Sequence, residues 1–234
     1  MITKEKVVYI TGGTKGIGRG IAAALIAEGY RVAISGRSLE DVTEVARSLG
    51  SDDQVLALAS NVTVYEDEVQ AVAKIVEKFG RLDVVIANAG VGIFASIEEL
   101  SIEDWNMMID TNLTGVFHTL KASVAQLKQN KGYYISVASL AGINFFATGS
   151  GYNASKFGVV GFTQAAMLDL RAHDVKVTTI LPGSVTSHFN NHVPNAQDAW
   201  KIQPEDIGEL VVDLLNMNPR ALPSKIEIRP LKTS

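Results

Sequence analysis

Short runs of β-branched and apolar residues alternate along the chain with longer stretches in which apolar positions recur every three or four residues. The first run, Val7-Val8-Tyr9-Ile10, leads through a glycine-rich turn into Ile17, Ile21, Ala24, Leu25 and Ala27. That spacing predicts a helix buried along one face and stopped by Gly29. Strands are predicted at 31–35 and 55–59 and helices at 38–49 and 63–79, with Ser38 placed to cap the first of these helices and Gly50 to end it. The fourth run, Val84-Val85-Ile86-Ala87, is unbroken apolar, as in a parallel strand covered on both faces. A long helix is predicted from 101 to about 128, with Glu103 and Asp104 beside its positive end. Strands at 133–137, 177–181 and 226–228 and helices at 150–173 and 204–216 complete the pattern. Pro204 falls in a first turn, where proline is tolerated.

This alternation predicts an α/β fold: a doubly wound parallel sheet of about seven strands, helices on both faces, right-handed connections. Ligands then bind beyond the C-terminal strand ends, where the strand order reverses. The 234 residues suit one domain, 1–234. Only 184–203 is long and without periodicity, which marks it as a lid. Composition narrows the function. A net charge of −4 argues against nucleic acid as a partner, because phosphate binding needs a basic surface. The absence of cysteine excludes disulfides, thiolate catalysis and thiolate metal sites. No apolar run reaches the roughly 18 residues of a membrane span, and Met-Ile-Thr-Lys-Glu-Lys has no signal region. A cytoplasmic protein without membrane partners is expected.

The turn Thr11-Gly12-Gly13-Thr14-Lys15-Gly16-Ile17-Gly18 lies between the first strand and the first helix. Its glycines permit a tight turn and close approach of a ligand, and the helix N-terminus offers unpaired N–H groups to a pyrophosphate. The second strand ends in Ile34-Ser35-Gly36-Arg37, without the carboxylate that would bind a ribose 2′-hydroxyl. Arg37 instead offers a guanidinium to a 2′-phosphate, with Lys15 as a second cation, so NADP(H) is the expected cofactor.

Tyr152 and Lys156 stand four apart on a predicted helix and share a face. A nearby ammonium favours the phenolate and lowers the tyrosine pKa, suiting Tyr152 to proton exchange with a carbonyl or alcohol oxygen. Taken alone, the pair could equally be a surface contact. Ser139 lies just past the fifth strand, at the edge where ligands bind. Asp110-Thr111-Asn112-Leu113-Thr114-Gly115 holds poor helix-interior residues and suggests a kink or a bound water at a functional site.

Together these motifs resemble the short-chain dehydrogenase/reductase family, and its bacterial 3-oxoacyl reductase-like members in particular. The resemblance rests on Thr11-Gly-x-x-x-Gly16-x-Gly18, Asn88-Ala89-Gly90, Asn112, Ser139, Tyr152-x-x-x-Lys156 and Pro182-Gly183, in the family's order. It implies a Rossmann fold and a tetrad in which Ser139 polarises the substrate oxygen and Tyr152 exchanges the proton. Lys156 would lower the tyrosine pKa and hold the nicotinamide ribose, and Asn112 would position a water. It further implies cofactor contacts from Gly12, Thr14, Lys15, Gly16, Ile17, Gly18, Arg37, Asn88, Ala89, Gly90, Pro182, Gly183, Val185 and Ser187. Asn61-Val62 stands where many members carry Asp-Val against the adenine. The glycine-rich ending that often supplies tetramer contacts is absent; a homodimer or homotetramer is expected.

Candidate walls of the substrate site are Gly92, Ile93, Phe94, Ile143, Phe145 and Phe146, with Phe189 and Trp200 in the lid. Their apolar character points to a hydrophobic carbonyl or alcohol substrate. His188 and His192 could share a metal if helical, but no third ligand is evident, so no metal site is expected. The expected activity is hydride transfer between NADP(H) and a carbonyl or secondary alcohol. The alternatives are a 3-oxoacyl-thioester reductase using an acyl carrier protein, and a protein that binds NADP(H) without turnover.

Overall fold

In the computed structural model, which describes residues 6–232, seven parallel strands form one sheet. The first half runs β1 (Val7–Thr11), α1 (Gly16–Ala27), β2 (Arg31–Gly36), α2 (Leu39–Leu49), β3 (Val55–Ala59), α3 (Tyr65–Phe79) and β4 (Val84–Ala87). The second half runs α4 (Ile102–Ile109), a π turn (Asp110–Thr114), α5 (Gly115–Asn130), β5 (Tyr133–Val137), α6 (Ser150–Leu170), β6 (Lys176–Pro182), α7 (Pro204–Asn216) and β7 (Lys225–Ile228). The spatial order is β3-β2-β1-β4-β5-β6-β7, so Tyr9 of β1 lies between Ala33 of β2 and Val85 of β4. The order reverses at the β1–β4 boundary, which opens a crevice at the C-terminal strand ends.

Side chains alternate across each strand, so both faces of the sheet are buried. Val8, Ile10, Val32, Ile34 and Ile86 pack against α1, α2 and α7, through residues such as Leu25, Val42 and Val211. Val7, Tyr9, Val85 and Tyr134 pack against α3, α5 and α6, through residues such as Ile75, Leu120 and Val159. α1 and α7 touch backbone to backbone: a Cβ on Gly20 would lie 2.5 Å from Pro204 O, and one on Gly208 2.8 Å from Gly20 O. A carboxylate is buried within the second layer. Glu68 of α3 is fully buried, accepting at Oε1 from Ser60 Oγ (2.6 Å) and Tyr9 Oη (3.0 Å). Its Oε2 makes no hydrogen bond of good geometry among the described residues, and the neighbouring Thr119 hydroxyl donates to Gly115 O. Burial raises the Glu68 pKa.

The predicted elements recur with two differences that matter for the site. The helix expected at 101–128 is interrupted at the weak cluster, where the π turn separates α4 from α5. α3 starts at Tyr65 rather than residue 63, because Asn61 Oδ1 accepts from Thr63 N and Oγ1 and holds the chain in a turn. The aperiodic stretch 184–203 forms two short 3₁₀ turns, Phe189–Asn191 and Ala196–Trp200, closed at the base by Thr186 N to Ile202 O (2.9 Å) and Ile202 N to Ser184 O (3.1 Å). Asp198, nearly buried, organises its second half by accepting from His192 Nε2 (2.6 Å), Lys201 Nζ (2.5 Å) and Asn195 N (3.0 Å). These partners hold its carboxyl well below the usual range. Among the described residues no helix is long and apolar enough to cross a membrane.

Candidate active site

The phosphate-type turn follows directly from its glycines. Gly12 and Gly16 have φ of 65° and 53°, left-handed values that glycine adopts without strain. Gly13 N donates to Ser35 O at 3.0 Å, and a Cβ there would lie 2.6 Å from that of Ile34, so the turn rests on β2. From β4, Asn88 Nδ2 donates to Thr11 O (2.9 Å) and Gly12 O (3.0 Å), while Thr11 Oγ1 accepts from Asn88 N and Ala89 N. These bonds pin the two strands flanking the crevice to one another.

Helix charge distinguishes the crevice from the rest of the rim. α2, α3, α4 and α7 each carry acidic residues in their first turn. α1 and α6 carry none and have no side-chain cap, so their amide ends offer positive potential to an anion. Thr14 and Lys15 lie on the same turn, Lys15 exposed. Arg37 is exposed past β2, without an ion-pair partner among the described residues. Ile17 and Gly18 form the first turn of α1. The glycine turn and the uncapped start of α1 offer the backbone N–H groups that the pyrophosphate of a nicotinamide dinucleotide would take.

The second wall of the crevice comes from β5 and α6. Ser139 follows β5 in an extended conformation and accepts from Ala141 N at 3.1 Å. Its hydroxyl is close enough to that of Tyr152 to pull the Tyr152 pKa down. Asn153 secures this loop by donating to Ala141 O (2.6 Å) and Asn144 O (2.7 Å). Lys156 Nζ donates to Val137 O at 3.1 Å and stands 5.8 Å from the centre of the Tyr152 ring. It also lies 3.6 Å from where a Cβ of Gly90 would be, so Lys156 and the Asn88-Ala89-Gly90 segment meet across the crevice.

In the protein by itself, burial pushes the Tyr152 pKa up to about 12, opposed by the neighbouring Ser139 hydroxyl. The same burial brings Lys156 down to about 8. Asn112 is fully buried, and its side chain is engaged by neighbouring protein groups. Its Oδ1 accepts from Val91 N (2.8 Å), and its Nδ2 donates to Val91 O (2.8 Å) and Ser155 Oγ (3.0 Å). The π turn thereby ties the segment after β4 to α6.

The remaining predicted positions divide. Ser187 reaches the phosphate turn, its Cβ 3.2 Å from a notional Gly16 Cβ. Gly183 N donates to Ile228 O at 2.8 Å, Pro182 closes β6, and Val185 packs on the core below α7. Asn61 is occupied by its turn, and Val62 fits over Gly115. Of the candidate walls, Phe94 and Phe189 stack near Tyr152 at ring separations of 5.5 Å each, and Phe146 meets Phe94 at 5.4 Å. Ile93 packs on the same cluster. Gly92 lies under Phe189, whose ring fills the space a Gly92 Cβ would need. Ile143 packs on the main core instead, Phe145 is exposed, and Trp200 lies under Lys201. His192 is bound to Asp198, and among the described residues no three His, Asp or Glu are grouped to hold a metal. The motif named Thr11 and Gly13 without their roles as supports, and sequence reasoning missed Asn153 and Ser155, whose partners Ala141, Asn144 and Asn112 are distant in sequence.

A family model described as short chain dehydrogenase matches residues 6–198. An uncharacterized oxidoreductase of Staphylococcus aureus is 34% identical over 232 residues, covering 98% of this chain and 99% of the relative. An alcohol dehydrogenase from the archaeon Thermococcus sibiricus, solved with 5-hydroxy-NADP, superposes with a TM-score of 0.92 at 31% identity, covering 98% of each chain. A metagenomic short-chain oxidoreductase in complex with NADP gives 0.84 at 28% identity, covering 99% of this chain and 100% of its own.

Proposed function

The chain belongs to the short chain dehydrogenase family, and from its site we propose that it is an NADP(H)-dependent oxidoreductase that reduces an apolar carbonyl compound, with Tyr152 as the proton donor. The observation that carries this reading is the pairing of the Ser139 and Tyr152 hydroxyls across the crevice from an uncapped, glycine-built helix start. When bound, a nicotinamide dinucleotide supplies the hydride. The protein supplies the rest. Ser139 and Tyr152 donate hydrogen bonds to the substrate oxygen and so polarise the carbonyl. The Tyr152 Oη proton passes to that oxygen as negative charge develops on it. Lys156, beside the same ring, stabilises the phenolate left behind. With its pKa raised to about 12, Tyr152 carries its proton at neutral pH and is ready to donate it. Arg37 and Lys15, with no carboxylate at the end of β2, support a 2′-phosphate, as do the NADP-type ligands of the two solved relatives.

The test is cofactor oxidation with NADPH and NADH over a panel of free ketones, aldehydes and acyl thioesters. Turnover is expected with NADPH, with a higher kcat/KM than with NADH, and on free carbonyls rather than thioesters. Tyr152→Phe should lower kcat by about 10²–10⁴. Full turnover in that variant removes Tyr152 as the donor; tight NADPH binding without turnover of any carbonyl makes the protein a nucleotide binder.

A further inference from the structure

The proton donor is covered by the lid. Tyr152 is 8% exposed, and the Phe189 ring lies against it and on Gly92, with Phe94 at 6.4 Å on its other side. Only a glycine at 92 leaves room for that ring. Phe94 and Phe146, 39% and 45% exposed, form an edge-to-face pair that continues the aromatic surface outward from Tyr152. A substrate therefore reaches the hydroxyl only by displacing Phe189, and the ring contacts broken are those of Phe189 with Tyr152 and Phe94. A flat apolar group remakes them; a polyol or an anion does not. The cations that could attract an anion are engaged: Lys201 by Asp198, Lys156 by Val137 O.

We propose that Phe189 stands in for the substrate, and that the site it fills selects uncharged carbonyl compounds bearing an aryl group, gripped by Phe94 and Phe146. This rests on the reductase reading above. Asn190, which follows Phe189, has φ 53°, and the chain beyond it is tied to Asp198 through His192 and Asn195, so Phe189 lies at the edge of the part of the lid that Asp198 anchors.

The test compares 1-phenylpropan-2-one, 1-cyclohexylpropan-2-one and the 4-carboxylate of the first, whose carbonyls are not conjugated to the ring. KM should be about fivefold lower for the phenyl than for the cyclohexyl ketone, and more than about tenfold lower than for the carboxylate. Phe94→Leu should erase the phenyl–cyclohexyl ratio. Phe189→Ala and Gly92→Ala, which remove or expel the gating ring, should lower KM for all three by one common factor and keep the ratio. Dissociation constants of the two neutral ketones, measured by calorimetry with oxidised cofactor bound, should follow the same order. Equal constants for both with turnover intact, or preference for the carboxylate, overturn the aryl site alone. Absence of turnover with the binding order intact overturns the reductase reading and leaves the aryl site standing.

Discussion

Lys156 is held where an ammonium is disfavoured. Its pKa falls from 10.5 to about 8 on folding, so between those values the unfolded chain holds a proton that the folded protein has released. Stability rises with pH across that window, and below pH 8 the folded state carries the whole penalty, roughly 3 kcal/mol. Lys156→Met removes the penalty and loses the hydrogen bond to Val137 O, worth about 1 kcal/mol. The variant should thus be inactive yet more stable by about 2 kcal/mol at pH 7, the gain shrinking above pH 8 and reversing to a loss of about 1 kcal/mol by pH 10.5. Denaturant titrations at the two pH values read this; an equal or lower stability at pH 7 refutes it. The spacing of Tyr152 and Lys156 was legible because four residues span one helical turn. The ionisation of the pair was not, since it depends on burial supplied by β5 and the lid.

Helix α1 meets α7 through Gly20 and Gly208, and this contact sets the height of the phosphate turn at its head. Gly20→Ala would drive a methyl onto Pro204 O and should cost about 2 kcal/mol, lowering Tm by about 4–8 °C. Gly161, exposed on α6 with nothing within 4 Å of a notional Cβ, provides the contrast: Gly161→Ala should stabilise by about 0.5–1 kcal/mol through helix propensity. Thermal melts showing the same sign for both would discount the close approach. At this scale apolar periodicity located the strands and helices, since each is buried against the sheet. It could not foresee that the helix from 101 would break into α4, a π turn and α5. Weak helix formers at 110–115 marked the place, but the break is fixed by Asn112 reaching Val91, 21 residues away in sequence. The lid was legible only as an absence of period. Its order comes from Asp198 and its three partners His192, Lys201 and Asn195, polar contacts that leave no apolar period.

Across the whole molecule, the crevice joins the two halves of the sheet: the glycine turn comes from β1, the hydroxyl pair from β5 and α6. A dinucleotide bridging them binds only the folded state, so it should raise Tm in a concentration-dependent way. At about a hundred times its dissociation constant the gain is about 2.7 kcal/mol, or roughly 5–10 °C for a chain of this size. NADP should act at lower concentration than NAD, and Arg37→Asp should bring the two together. Melting curves insensitive to both would exclude a cofactor in this crevice. The parallel order itself was legible in the alternation of elements. The solitary oxygen of Glu68 was not, and it shapes how the folded molecule exchanges protons with its medium. The formal charge of −4 counts that residue as ionised, but its surroundings favour the acid. Unfolding liberates hydrogen ions from Glu68 and absorbs them at Lys156. The first group's support is full in acid and fades as pH climbs through its raised pKa; the second's handicap begins to lift only near pH 8. The two buried groups thus make heat resistance answer to alkali in opposite senses, one losing support and the other shedding a burden.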